Sequence, residues 1–235
     1  MPQVRRDMRH VQAVCLDLDD TLWELAPVLK RAEQRFHAWL AEHYPRVASR
    51  HSVGDLQGRR TAIAAEFPDR LHDIGWLRRQ VYVRLARESG YPEAMADEAF
   101  AVFQQLRNQV TPFADVVPAL RRLSRGRLLV ALTNGNADLG AIGLAGHFAA
   151  VFTAAGLGVA KPDRLVFESV CARLDLPPDR VLHAGNDPHN DVIAPRRLGM
   201  TAVWVNRIGA AWPAGEPGPD HTVTDLAVLA DLLGC

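Results

Sequence analysis

The stretch VCLDLDDTLW, residues 14–23, decides the fold: a short apolar run gives way to Asp17, Asp19 and Asp20, with Thr21 immediately behind. A strand covered on both faces of a parallel sheet reads as a continuous apolar run, not an alternating one. The same form recurs along the chain, at Val11 to Leu16, Leu128 to Leu132, Ala150 to Thr153, Val181 to Ala184 and Thr201 to Val205. Helix-length segments separate the later runs. RLVFESVCARL, Arg164 to Leu174, has Pro162 ahead of it and Pro177-Pro178 behind it to stop it. Strand alternating with helix predicts an α/β fold built on a doubly wound, Rossmann-like parallel sheet.

From about Trp23 to Thr111 the rhythm changes. Leu29, Ala32, Phe36, Trp39, Leu40 and Tyr44 fall at helical spacing, Leu77, Val81 and Leu85 form a second such face, and Ala96, Phe100, Phe103 and Leu106 a third. Nothing there reads as a strand. The expected organisation is a discontinuous core, residues 1–22 and 112–235, with an all-helical subdomain at 23–111 inserted after the first strand. WPAGEPGPD, 212–220, reads as a surface loop.

The chain has 235 residues, 48% of them hydrophobic, enough for one large domain with a smaller companion. Lys plus Arg and Asp plus Glu are balanced at 27 each, so no global field draws the protein to nucleic acid or an anionic membrane. Cys15, Cys171 and Cys235 have no metal-type spacing and read as free thiols of a reducing compartment. MPQVRRDMRH lacks a signal-peptide apolar stretch, and no 18-residue apolar span occurs. The expectation is a soluble cytoplasmic protein with no membrane or nucleic-acid partner, a monomer or homodimer.

Ligands of open α/β sheets bind outside the carboxyl ends of the strands. The residues that follow the runs are Asp17, Asp19, Asp20 and Thr21; Thr133, Asn134, Gly135 and Asn136; Lys161; and Gly185, Asn186, Asp187 and Asp191. Carboxylates, a hydroxyl, an ammonium and amides gathered at one edge suit phosphoryl transfer to water through a covalent intermediate. A carboxylate at Asp17 attacks phosphorus, and Asp19 protonates the leaving oxygen and later deprotonates water. Carboxylates crowding a phosphate call for a hard cation with oxygen ligands, Mg²⁺. Lys161 adds positive charge, while Thr133 and the backbone N–H groups around Asn134 hydrogen-bond the phosphoryl oxygens. Asp20 has a second reading, as the cap of the first helix.

This ordered set resembles the haloacid dehalogenase superfamily, in its phosphatase branch. Asp17-Leu18-Asp19-Asp20-Thr21 matches the family's DxDxT motif, Thr133-Asn134-Gly135 its second motif, Lys161 its third, and Gly185 through Asp191 its fourth. The resemblance implies a Rossmann-like core, a Mg²⁺ cofactor, Asp17 as nucleophile, Asp19 as general acid/base with its backbone carbonyl on the metal, and a helical cap. LDDTLWELAPVLKRAEQ, the His72-Asp73 pair ahead of Trp76, and ALTNGNADL are similar to bacterial phosphatases of FMN and of a ribitylaminouracil phosphate in riboflavin biosynthesis.

One position departs from the pattern. The fourth motif usually reads Gly-Asp, and here it is Gly185-Asn186, then Asp187. Asn186 offers a carbonyl oxygen to the metal; Asp187 is the alternative ligand, or the holder of a metal-bound water, and Asp191 completes the set. Trp23, Trp76 and Asn136 are the candidates for contact with substrate, with Tyr82 a further aromatic. Arg59-Arg60 and Arg78-Arg79 read as solvated helix faces, and His183 and Trp204 as core. A sugar phosphomutase using the same aspartates, and a silent phospho-ligand binder suggested by Asn186, are the competing readings.

Overall fold

The computed structural model describes residues 8–235; the first seven residues of the charged N-terminal segment lie outside the described residues. Each predicted apolar run forms a strand: β1 Ala13–Leu16, β2 Leu128–Thr133, β3 Ala150–Thr153, β4 Val181–Gly185 and β5 Thr201–Val205. A further short strand, β6 His221–Val223, follows the 212–220 loop. The six pair in the order β3-β2-β1-β4-β5-β6, and every pairing is parallel. Chain order thus reverses at β1, which has β2 on one side and β4 on the other. This is the switch point where doubly wound sheets open a crevice.

β1, β4 and β5 are buried throughout, as their unbroken apolar sequences require. Against one face of the sheet pack Val166, Phe167 and Val170 of the Arg164–Leu174 helix, meeting Cys15, Val130 and Leu132. That helix has the predicted limits, with Asp163 capping Leu165 N–H and Asp175 ending it in the left-handed region at φ 54°. Cys15 and Cys171 are buried free thiols. Among the described residues no helix is long and apolar enough to cross a membrane.

The chain folds as two compact units, residues 8–23, 112–134 and 144–235 in the first, and 24–111 with 135–143 in the second. Helices Leu25–His43, Val53–Glu66, Ile74–Glu88 and Met95–Arg107 build the second unit. Their apolar stripes meet in a core of Ala32, Phe36, Leu40, Leu77, Val81, Leu85, Ala96 and Phe103. Phe36 stands edge-on to Phe103 at 5.7 Å between ring centroids and lies 5.0 Å from Tyr82. Fully burying such a ring contributes about 1.5–3 kcal/mol over leaving it in water.

Membership of residues 135–143 in the helical unit differs from a boundary drawn at 112. The cause is local bonding. Asn136 exchanges hydrogen bonds with Gln104, and Asn108 Oδ1 accepts from the Asp138 N–H.

Candidate active site

Asp17 prolongs β1 by one residue, its N–H donating to Ala184 O at 3.0 Å. The chain then turns sharply. Thr21 and Leu22 N–H both donate to Leu18 O, and Asp20 takes φ 60°, a left-handed conformation that aspartate tolerates better than most residues. Asp20 is therefore a turn residue. The expectation that it caps the first helix is corrected, because that helix begins at Leu25 after Glu24.

At the switch point Lys161 Nζ donates to Asp17 Oδ1 at 2.8 Å, Asp191 Oδ1 at 2.6 Å and Leu132 O at 3.1 Å. All three charged groups are buried, Lys161 being 5% exposed. Burial works to lower the lysine's pKa, but the carboxylates of Asp17 and Asp191 reverse this and hold it above its ordinary range. Burial likewise pushes the Asp17 carboxyl up, opposed by Lys161 and reinforced by Asp191. At Asp191 the opposite sign wins: burial is outweighed by Lys161 and by a hydrogen bond from His183, which keep this carboxyl well below the usual range. Asp191 can approach so closely only because residue 185 is glycine. A Cβ there would lie 2.4 Å from Asp191 Cγ.

His183, read from sequence as core, is indeed fully buried on β4, yet its Nε2 faces Asp191 Oδ1 at 3.2 Å. Burial keeps it neutral, so Nε2–H is the donor. Asp191 Oδ2 in turn accepts from the Asp187 N–H at 2.9 Å.

Asn186 and Asp187 have different environments. Thr21 Oγ1 lies 3.1 Å from Asp17 Oδ2 and 3.2 Å from Asn186 Oδ1, so its single proton is shared between two oxygens that converge on it. Trp204 Nε1 fixes the Asn186 peptide by donating to its carbonyl at 2.8 Å. The Asp187 carboxylate points elsewhere: Oδ1 accepts from the His189 and Asn190 N–H groups and caps the wide turn Pro188–Ile193. One oxygen of Asp187 is thus committed to the turn, whereas Asn186 Oδ1 converges with Asp17 Oδ2 on Thr21.

Among the described residues no three acidic, histidine or cysteine side chains form a ready-made metal cluster. The hard oxygens of Asp17 and Asn186 nevertheless converge where two buried carboxylates face one ammonium, leaving an excess negative charge. A divalent cation with oxygen ligands fits that set.

The second motif is divided in its bonding. Thr133 is buried at the end of β2, while the Asn134 side chain is committed to the main chain of Lys161, leaving backbone groups as its means of holding an anion. Asn136, expected near substrate, has its amide engaged by Gln104 and by Arg107 Nε at 3.2 Å. These bonds anchor the loop to the helix Met95–Arg107.

Trp23, expected as an aromatic shelf, is fully buried and donates Nε1–H to Asp19 Oδ1 at 2.8 Å; it offers no face to a ligand. Trp76 is half-buried, edge-on to Phe67 at 4.9 Å. Tyr82 is buried in the helical core. Arg59, Arg60 and Arg79 are paired with Glu88, Glu33 and Asp97, and the half-buried Arg78 lies over the Phe103 ring at 3.6 Å. Arg207, which sequence reasoning passed over, donates from Nε to Thr21 O and doubly to Asp115, and stacks on Phe113. It braces the turn that carries the aspartates.

Comparison with known proteins places this geometry in context. Residues 11–199 match the family model of the haloacid dehalogenase-like hydrolases. The 5-amino-6-(5-phospho-D-ribitylamino)uracil phosphatase YigB of Escherichia coli K12 is 29% identical over 85% of each chain. A phosphoglycolate phosphatase of Chromobacterium violaceum is 30% identical over 97% of this chain and 98% of its own. A crystal structure described as a 2-haloacid dehalogenase from Pseudomonas syringae pv. Tomato DC3000 superposes with a TM-score of 0.89, at 36% identity over 95% of this chain and 98% of that one.

Proposed function

This chain belongs to the haloacid dehalogenase-like hydrolase family, and from that premise we propose that it is a Mg²⁺-dependent phosphomonoesterase of a small phosphorylated metabolite, FMN or a ribitylaminouracil phosphate being the preferred class. The observation that carries the reading is the buried Lys161 bridging Asp17 and Asp191, with Asp19 two residues beyond Asp17 on the same turn.

In this reading Asp17 attacks phosphorus and becomes an aspartyl phosphate, while the ester oxygen leaves with a proton from Asp19. Asp19, now a carboxylate, takes a proton from the water that cleaves the intermediate. Lys161 balances the charge of Asp17 before attack and of the phosphoryl oxygens afterwards. Thr133 and the backbone N–H groups of Asn134 and Gly135 serve the same oxygens. Mg²⁺, when bound by Asp17, the Asp19 carbonyl and Asn186, would neutralise phosphate charge. The helical unit acts as the cap.

The Pseudomonas syringae structure's description favours a second reading, halide displacement from carbon. Halide departs without a proton, so that chemistry gives the Asp19 carboxyl no work. Phosphate release from FMN and p-nitrophenyl phosphate, assayed with and without Mg²⁺, decides between them when run beside chloride release from 2-chloropropionate. The proposal expects phosphate, no chloride, and no activity in Asp17→Asn. Chloride without phosphate overturns it, and phosphate release that spares FMN overturns the substrate class alone.

A further inference from the structure

The tight turn from Leu18 to Leu22 brings Trp23 back beside Asp19, and the two are joined twice over. A β-bridge pairs their backbones, and the indole N–H donates to the carboxylate Oδ1 at 2.8 Å. The two side chains differ in access: Trp23 is fully buried, while Asp19 is half-buried. A packed ring therefore holds a carboxylate that substrate can reach. We infer that Trp23 is the positioning residue for the Asp19 general acid. This rests on the phosphatase reading above and goes beyond it by assigning the indole a part in leaving-group departure.

The chemistry follows from the donor inventory. Indole Nε1 is a donor and never an acceptor. With that N–H facing Oδ1, a proton on Oδ1 would oppose it, so the acid proton belongs on Oδ2. Because the ring is locked in the core, the carboxyl plane is locked with it. The tryptophan thus selects both the oxygen that carries the proton and the direction in which it is delivered. In the phosphoryl-transfer step the P–O bond to the leaving group breaks, the Asp17–phosphorus bond forms, and the Asp19 Oδ2 proton passes to the departing oxygen. Orientation of this kind, set before substrate arrives, is a large part of what general acids contribute.

A misaligned acid harms poor leaving groups and spares good ones, which a merely structural defect does not do. The test compares kcat/KM for phenyl phosphate and p-nitrophenyl phosphate in wild type and Trp23→Phe, which keeps an aromatic ring and removes the N–H. Because kcat/KM reports the steps through leaving-group departure, slow hydrolysis of the aspartyl phosphate does not mask the effect. The ratio of the two values is also independent of how much of the preparation is folded. If Trp23→Phe yields no folded protein, Trp23→Tyr also lacks the indole N–H and is read by the same ratio.

The expected result is a fall with phenyl phosphate roughly tenfold larger than with p-nitrophenyl phosphate, and no added selectivity when Trp23→Phe is combined with Asp19→Asn. An unchanged ratio in a variant of an active wild type overturns the inference and leaves the phosphatase reading standing. A wild type that releases phosphate neither from these esters nor from FMN overturns both.

Discussion

The side chain of Asn134 grips the main chain of Lys161 from both sides: Nδ2 donates to Lys161 O at 2.9 Å, and Oδ1 accepts from Lys161 N–H at 2.8 Å. An asparagine can do this because its amide carries a donor and an acceptor side by side. The result is that the loop bearing the buried ammonium is fastened to the end of β2. Asn134→Ala leaves both backbone groups half-buried without partners, at a cost of about 1–3 kcal/mol. The expected outcome is a lower urea midpoint together with slower phosphate release. Asn134→Asp, which loses the donor alone, should fall between the two proteins in stability.

Lys161 itself is held at Asp17 and Asp191, and the three form a buried set with one positive and two negative members. Removing the cation by Lys161→Met leaves two carboxylates facing each other out of water. The expected loss is about 3–5 kcal/mol in urea denaturation. Adding Asp17→Asn to Lys161→Met should restore part of it, since one of the stranded charges is then gone. A double variant no more stable than the single one would show that the pair of charges is not what the lysine compensates.

Much of this arrangement was legible in the sequence, for definite reasons. β5 has the predicted limits because a strand buried on both faces leaves an unbroken apolar run, and β3 has them although it lies at the sheet edge and buries only Phe152. The polar residues at strand ends were findable because a parallel sheet delivers those ends to one edge. β6 was missed: it is three residues long and buries only Val223 of them, too little to leave a pattern. The remaining differences concern pairing across sequence distance. Asn136 meets Gln104 32 positions away, and Arg207 meets Asp115 92 positions away, and neither periodicity nor motif spacing reports such partners. Trp23, expected to face substrate, instead buries its indole fully, which its spacing from the aspartates does not report.

Arg207 and Asp115 yield a prediction about acid stability. The guanidinium donates to both carboxylate oxygens, at 3.0 and 2.8 Å, and Asp115 Oδ2 also accepts from the Leu226 N–H. Burial would raise the Asp115 carboxyl, but these hydrogen bonds hold it below its ordinary range. A carboxyl whose folded pKa is depressed adds stability above its unfolded value and loses it as pH falls through the lowered one. Arg207→Ala should therefore cost about 2 kcal/mol at neutral pH, with the gap from wild type narrowing below about pH 4. Denaturation series at several pH values check this, and a gap constant down to strong acid would contradict it.

Asn186 and Asp187 sit side by side, and the structure separates their duties. Asn186 Oδ1 turns toward Thr21 Oγ1, the atom on which Asp17 Oδ2 also converges, whereas Asp187 Oδ1 is taken up by two backbone N–H groups. Replacing a neutral amide oxygen with a carboxylate at the first position raises the charge of the donor set, which is how oxygen sites tune divalent-cation affinity. Asn186→Asp should thus bind Mg²⁺ roughly tenfold more tightly by calorimetry, and Asn186→Ala more weakly than wild type. Asp187→Ala removes a cap, so its main effect should be a stability loss of about 1 kcal/mol, with a smaller change in Mg²⁺ binding than Asn186→Ala produces. Binding abolished by Asp187→Ala and indifferent to Asn186→Asp would make Asp187 the ligand and require the 188–193 turn to release its cap when the cation enters.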